Sequence, residues 1–292
     1  MMRVLLTGGN GQVGRELLAQ TPTDITCVAP SSTELDITRM DQVRAWVKRV
    51  SPQLIINAAA YTAVDLAQSE PERAWAINHQ GVVNLAAAAK EAGARLFQLS
   101  TDYVFDGNAK AAYVETAPCQ PLNVYGASKL AGETALQTAM EHSLILRTSW
   151  VFSCHGNNFV KTMLRLGQQR AELGVVADQY GSPTSAADIA TVLWQLAVQP
   201  QTKGVFHYSG APRCSWYQFA TQIFSEAHTL GLLQRVPQLT PLTSAEYPTA
   251  ASRPANSALD CSLLRQRFGI TQPDWRHALR LVLAQLRAMP RQ

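Results

Sequence analysis

Tyr125 and Lys129 lie four residues apart in Tyr125-Gly126-Ala127-Ser128-Lys129. That spacing puts a phenol and an ammonium one turn apart on the same face of a helix. A free phenol titrates near 10, and each tenfold gain in acidity takes about 1.36 kcal/mol, so an acid useful near neutrality takes roughly 4 kcal/mol. One cation at ~4 Å supplies about that much at an effective dielectric near 20. The pair therefore has the composition of a proton donor with its own tuning charge. Tyr-x-x-x-Lys also arises by chance, and its meaning depends on the company it keeps.

That company begins at the N-terminus. Arg3-Val4-Leu5-Leu6-Thr7 reads as a short buried strand and Leu17-Leu18 as part of a helix, with Gly8-x-x-Gly11-x-x-Gly14 between them. Gly8 can turn the chain with positive φ. Gly11 lets a pyrophosphate approach the backbone, and Gly14 lets helix and strand pack closely. Helix-start N–H groups around Gln12 and Val13 would face the anion. A glycine turn without a ligand is the bland alternative, but this position between first strand and first helix favours a dinucleotide. The second strand, Ile25–Ala29, runs into Pro30-Ser31-Ser32 rather than an acidic residue. Nothing there repels a 2′-phosphate, so NADPH is favoured and NADH stays open. Asp36-Ile37 falls beside the expected adenine, and Ala60-Tyr61-Thr62 supplies small residues near backbone a dinucleotide must approach. A tightly packed turn would look the same.

Ser100-Thr101-Asp102-Tyr103 ends the strand Leu96–Leu99, at the edge where ligands bind in open α/β sheets. Thr101 could reach both a substrate carbonyl and the Tyr125 hydroxyl, or simply satisfy backbone groups. Trp150, just past the strand Leu144–Thr148, could stack on a sugar or pack. Arg253 could grip a diphosphate bidentately or form a surface ion pair. Asp65 and Glu70 read as solvated or capping, and His207 and His228 as structural.

Strand and helix alternate through residues 1–150, which predicts a doubly wound parallel α/β sheet of Rossmann type. Residues 151–292 are expected to form mainly a smaller cap domain for the substrate, with segments near 172–200 returning to the main sheet. Glu70–Ala92 reads as one long helix, Ser215 as an N-cap, and the Pro- and Thr-rich 237–254 block as loop. The net charge of +4 is dispersed, so nucleic acid is not indicated. Five cysteines without a Cys-x-x-Cys argue against a zinc site or disulfide framework and fit a reducing cytosol. No signal peptide and no membrane span are read in the chain.

Taken together, the glycine turn, Thr101 and Tyr125/Lys129 resemble the extended short-chain dehydrogenase/reductase family. Asn57-Ala58-Ala59-Ala60-Tyr61-Thr62-Ala63-Val64-Asp65, Ser100-Thr101-Asp102-Tyr103-Val104-Phe105, Arg147-Thr148-Ser149-Trp150, Asp178-Gln179-Tyr180-Gly181-Ser182-Pro183-Thr184 and Ser252-Arg253-Pro254 extend the likeness almost end to end. They are similar to the branch that reduces the 4-keto group of a deoxysugar nucleotide. The resemblance implies that Tyr125 gives a proton to the sugar C4 oxygen. It implies that Lys129 holds the nicotinamide ribose and lowers the Tyr125 pKa, while Thr101 tunes the acid. Asp102 and Trp150 would contact the sugar. Gly11, Gln12, Val13, Asp36, Ile37, Ala60, Tyr61 and Thr62 would line the cofactor. The related 4,6-dehydratases carry an Asp–Glu pair after the Thr. Here Tyr103 follows Asp102, so that general base is missing. Epimerases share the Tyr and Lys, and a non-catalytic NADP-binding regulatory subunit is similar too; both stay open as alternatives. Some members hold a magnesium ion between Glu side chains at a homodimer contact. Glu16 is a candidate ligand, but Ser185-Ala186-Ala187-Asp188 and Ala284-Gln285-Leu286 complete no carboxylate cluster. No metal site is therefore expected, and a homodimer stays open.

Overall fold

The computed structural model describes residues 1–289. In the first half the strands β1 (Met2–Thr7), β2 (Ile25–Val28), β3 (Leu54–Asn57), β4 (Arg95–Thr101) and β5 (Ser143–Thr148) alternate with helices. These are α1 (Gln12–Ala19), α2 (Met40–Val50), α3 (Val64–Ser69), α4 (Pro71–Trp75), α5 (Gly81–Ala92) and α6 (Val124–Ala139). The second half adds β6 (Val151–Phe152), α7 (Phe159–Gln169), β7 (Glu172–Val176), β8 (Tyr180–Gly181), β9 (Thr184–Ser185) and α8 (Ala186–Ala197). It continues with β10 (Gly204–His207), β11 (Cys214–Ser215), α9 (Trp216–Thr229), β12 (Gln238–Leu242), α10 (Ser262–Phe268) and α11 (Trp275–Ala288).

Six strands form one parallel sheet in the order β10-β5-β4-β3-β1-β2. Its strands are apolar on both faces because both are covered, as parallel sheets require. Val4, Leu6, Ile56, Leu144 and Leu146 pack on the side of α1 and α8. Leu5, Ile55, Leu96 and Ile145, one residue out of phase, pack on the side of α2, α5 and α6. The winding direction reverses between β1 and β3. In such sheets a ligand crevice opens outside the carboxyl ends of the strands at that point.

The main sheet is completed from the second half by β10, which pairs with β5, and by α8, whose Trp194 Nε1 donates to Leu17 O on α1 at 3.0 Å. β7 does not return. It pairs with β12, beside α7, α9 and α11, over a separate core that includes Phe219, Phe224, Trp275 and Leu279. β12 lies inside the 237–254 block that reads as loop. Pro241 within it is tolerated because β12 has a neighbour on one side only. Ser215 does cap α9, in a reciprocal box with Gln218. The long helix expected over Glu70–Ala92 is instead α4, a π-helical turn at Ala76–Gln80, and α5.

One buried ion pair ties α6 to the sheet. Arg147 on β5 donates from Nη2 to Glu133 Oε2 at 2.6 Å and from Nε to Oε1 at 3.0 Å, with both side chains almost wholly buried. Removing one partner of a buried pair leaves an uncompensated charge in low dielectric, at a cost of about 3–5 kcal/mol. Glu133→Gln is therefore expected to lower the urea-unfolding free energy by about that amount. A loss below about 1 kcal/mol would mean that the Arg147 guanidinium finds adequate partners elsewhere.

Candidate active site

The chain leaves β4 through Thr101 into a 3-10 turn, Asp102–Val104. α6 starts against that turn. Asn123 caps it by accepting from Gly126 N at 2.8 Å, and a Cβ at Gly126 would sit 2.2 Å from Tyr103 O. Only a glycine lets the first helical turn come this close, and the approach places Tyr125 beside Thr101, whose Oγ1 donates to Asp102 Oδ1 at 3.1 Å. Tyr103 meets the Tyr125 ring edge-on at 5.6 Å. Thr101, Tyr125 and Lys129 are thus brought together at the carboxyl end of β4.

The glycine turn lies two strands away on the same edge. Gly8 has φ +75, and a Cβ there would meet Ala58 and Ala59 backbone at 2.5 Å. A Cβ at Gly14 would lie 2.1 Å from Gly8 O. A Cβ at Gly11 would have Gly8 O at 3.2 Å as its one neighbour within 4 Å, so the outer side of the turn is open. Gly11 is the N-cap of α1 and no side chain caps the helix. Its first N–H groups are therefore available to an anion. A cavity of about 310 Å³ runs from this turn past Pro30, Ser31 and Ser32 to Asp36, Ile37 and Ala60. The open Gly11 face and the uncapped helix fit a dinucleotide diphosphate, while at the end of β2 the Glu34 carboxylate accepts from Ser31 N and Oγ at 2.8 and 2.7 Å, so the structure brings a carboxylate where the sequence reading expected none. A larger cavity of about 570 Å³ lies near Arg3, Lys48 and Gly93, at the amino ends of the strands. It is remote from these residues and on the wrong edge for a ligand of such a sheet.

The expected cofactor residues divide into those that face the cavity and those that shape it. Gly8, Gly11, Asp36, Ile37 and Ala60 line it. Val13 is buried in the core, and the Gln12 side chain turns away, accepting from Asn158 Nδ2 at 2.9 Å and Ser153 Oγ at 3.2 Å. Asp36 accepts from Thr38 N and Oγ1 at 2.9 and 2.8 Å. Tyr61 is buried with Val124 and Tyr125 packed against it and donates to Glu70 Oε2 at 2.9 Å, whereas Thr62 is exposed.

Asn78 links the two groups and has no motif of its own in the sequence. It sits on the π-helical turn with its amide bracketing Tyr61: Oδ1 accepts from Tyr61 N at 2.9 Å, and Nδ2 donates to Tyr61 O at 3.1 Å. The same Nδ2 reaches Ser128 Oγ at 3.0 Å, and Ser128 Oγ donates to Tyr125 O at 2.8 Å. The one hint in the sequence is an Asn on the apolar side of a helix.

One expectation is corrected, and three side chains with open alternatives have protein partners in the structure. Lys129 does not acidify Tyr125 here, because its Nζ donates to Leu99 O at 2.6 Å. Burial pushes the phenol up to about 12, with the neighbouring Thr101 opposing. Burial brings Lys129 down to about 8, partly offset by Glu133. Arg253 does form the ion pair that was its bland alternative, binding Asp65 with both terminal nitrogens at 3.0 and 2.7 Å. Asp65 stays half-exposed while paired, and it does not cap α3. Trp150 adopts a left-handed φ of +47 and stacks on Trp216 with centroids 3.4 Å apart, and Gly181 also lies against the indole, where a Cβ would come within 2.4 Å of the ring.

Asp102 is buried, and its Oδ2 lacks a hydrogen-bond partner. Burial pushes its carboxyl up to about 7, against hydrogen bonds that favour the anion. A folded-state value above the unfolded one, near 3.9, means that stability is fully present below about 3.9 and is lost as pH rises through about 7. Asp102→Asn should therefore raise Tm relative to the parent chain more at pH 8 than at pH 5. An equal shift at both pH values, followed by calorimetry, would show that the carboxyl titrates normally.

The whole chain has relatives of known kind. The family model described as the RmlD substrate binding domain matches residues 2–288. The dTDP-4-dehydrorhamnose reductase of Aggregatibacter actinomycetemcomitans is 48% identical, over 97% of this chain and 99% of its own. That of Escherichia coli K12 is 42% identical, over 98% of both. The crystal structure of the Bacillus anthracis enzyme in complex with NADP superposes with a TM-score of 0.92 at 39% identity, over 97% of this chain and 99% of that one. A family match over nearly every residue, with the glycine turn and the Thr–Tyr–Lys group in place, leaves one assignment: the chain belongs to the dTDP-4-dehydrorhamnose reductase family.

Proposed function

We propose that this chain reduces dTDP-4-dehydro-β-L-rhamnose to dTDP-L-rhamnose, within the biosynthesis of nucleotide sugars for surface polysaccharide. The observation that carries the reading is the meeting of Thr101, Tyr125 and Lys129 at the carboxyl end of β4, on the edge that opens the glycine-lined cavity. NADPH is favoured by the lack of an acidic residue within Pro30-Ser31-Ser32 itself, and NADH is admitted because the Glu34 carboxylate rests on Ser31. The cavity residues would hold the diphosphate and adenosine end of the dinucleotide, whose reduced nicotinamide would supply the hydride for the sugar C4 carbon.

Tyr125 supplies the matching proton. A phenol near 12 keeps its proton at neutral pH and releases it only when a strongly basic alkoxide develops on the sugar C4 oxygen. Thr101, beside the phenol, would hold it in place once a substrate oxygen joins them. Lys129 is poised to exchange the Leu99 carbonyl for a ribose hydroxyl, and its ammonium would then stabilise the tyrosinate left behind. Asp102, its carboxyl raised by burial to about 7 and so about half protonated at that pH, offers a donor to a sugar hydroxyl in its neutral form. Trp150, packed by Trp216 and by Gly181, would meet the sugar with the part of the indole these two leave uncovered. Arg253 would reach the substrate diphosphate by giving up one of its two bonds to Asp65. In this reading the main sheet carries the cofactor, and the layer of α7, α9, α11, β7 and β12 forms the larger part of a sugar-nucleotide cap over 151–292, of which 290–292 lie outside the described residues. No helix among the described residues is long and apolar enough to cross a membrane.

The expected result is loss of NADPH absorbance on adding the 4-keto sugar nucleotide, with dTDP-L-rhamnose as product. Tyr125→Phe should lower kcat by about 100-fold or more, the usual scale of general-acid catalysis, and leave NADPH affinity within about twofold. Unchanged turnover in that variant would remove Tyr125 from the chemistry. A product still at the keto oxidation level would replace reduction by epimerisation.

A further inference from the structure

Outside the proposed active site, three metal-ligating side chains converge from two elements. Glu16 stands on α1, one turn after Gln12. Cys154 and His155 follow β6 in the loop that leads to α7. A carboxylate oxygen, the thiol sulfur and an imidazole nitrogen all lie within 4.8 Å of one another, and Glu16 Oε1 is 3.7 Å from His155 Nε2. Glu16 and Cys154 are buried and His155 is half-buried. Atoms sharing a tetrahedral zinc at about 2.0–2.3 Å lie roughly 3.5 Å apart, so a small settling of the side chains closes the set.

The scaffold around the three residues is fixed independently of them. Asn158 Nδ2 donates to Ser153 O at 2.8 Å and to Gln12 Oε1 at 2.9 Å, and His155 N donates to Ser153 Oγ at 3.0 Å. Gly156 takes φ +60, and a Cβ there would lie 3.2 Å from Gln12 Cγ. The loop is therefore sewn to the same helix that presents Glu16. Lys161 and Arg15 oppose a cation here; Lys161 Nζ lies 3.4 Å from Cys154 O.

We propose that Glu16, Cys154 and His155 form a binding site for a divalent transition-metal ion of the zinc type, with water as the fourth ligand. The donor set decides the class of metal. Thiolate and imidazole suit zinc, while magnesium demands a near-octahedral shell of oxygens that one carboxylate does not provide. Binding releases the Cys154 thiol proton to solvent and leaves the sulfur as thiolate. The ion would staple the loop before α7 to the helix whose N-terminus faces the glycine turn. It would join first and second halves of the chain at a point removed from Tyr125.

The test uses the full chain stripped of metal with a chelator and then titrated with zinc, cobalt or magnesium chloride. One equivalent of zinc should bind, and Cys154→Ser and His155→Gln should each weaken it by more than about 100-fold, beyond the usual 10–100-fold loss from an outer-shell change. Cobalt should give tetrahedral d–d bands with a thiolate charge-transfer band, and magnesium should not compete. Equal zinc binding by the parent and both variants, no binding by the parent, or a cobalt spectrum without the thiolate band would overturn the proposal. The cobalt spectrum is read on the parent chain, so the proposal stays falsifiable if a variant fails to fold.

Discussion

The Asn78 side chain is the joint on which the geometry of the site depends. A single amide holds both backbone groups of Tyr61 and also reaches Ser128, next to Lys129 on α6. The turn after β3 borders the cofactor cavity, and α6 carries the acid. Their separation is thus set by three hydrogen bonds from one buried residue. Buried polar groups of this kind are costly unless fully satisfied, and a satisfied one fixes a unique arrangement. The π-helical turn makes it possible, since one extra residue in the helical path rotates Asn78 towards Tyr61. Gly132 on α6 completes the joint: a Cβ there would lie 2.2 Å from Asn78 O.

Behind this joint, α6 is held from its other end by the buried Arg147–Glu133 pair. Glu133 lies one turn beyond Lys129 and favours the charged ammonium that burial opposes. The same pair therefore serves packing and electrostatics. The environment on the substrate side works in the opposite sense. Tyr125, Tyr103 and Asp102 are all pushed towards their neutral forms by burial. A pocket kept neutral, with one cation held in reserve on Leu99 O, strengthens each hydrogen bond to a bound ligand, because low dielectric magnifies electrostatic contacts.

What the sequence made legible follows from local rules. Alternating apolar strands, the glycine spacing, the Tyr–Lys spacing and the Ser215 cap are all decided within a few residues, and all of these appear in the structure. The features that escaped it are decided at long range. Asp65 and Arg253 meet across most of the chain, and neither has a local pattern that announces its partner. The π-helical turn leaves the apolar periodicity of Glu70–Ala92 almost intact, so a continuous helix is the natural reading. β12 hid behind Pro241, which is harmless only on an edge. Lys129 points at Leu99 O because the end of β4 offers a carbonyl within reach, which spacing on α6 cannot reveal. Glu16, Cys154 and His155 lack the clustered spacing that marks a metal motif, because two separate elements supply them.

The central sheet is finished by a strand that arrives late. β10 begins at Gly204, and α8, which covers α1, begins at Ala186. Until those residues leave the ribosome, one edge of β5 has no neighbour and the Leu17 side of the core stays open to water. A nascent chain of the first 150 residues would expose apolar surface and an unpaired strand edge, the two features that make folding intermediates associate. The order in which the chain is synthesised thus leaves an interval of vulnerability, and its length is set by translation rather than by any contact in the finished molecule.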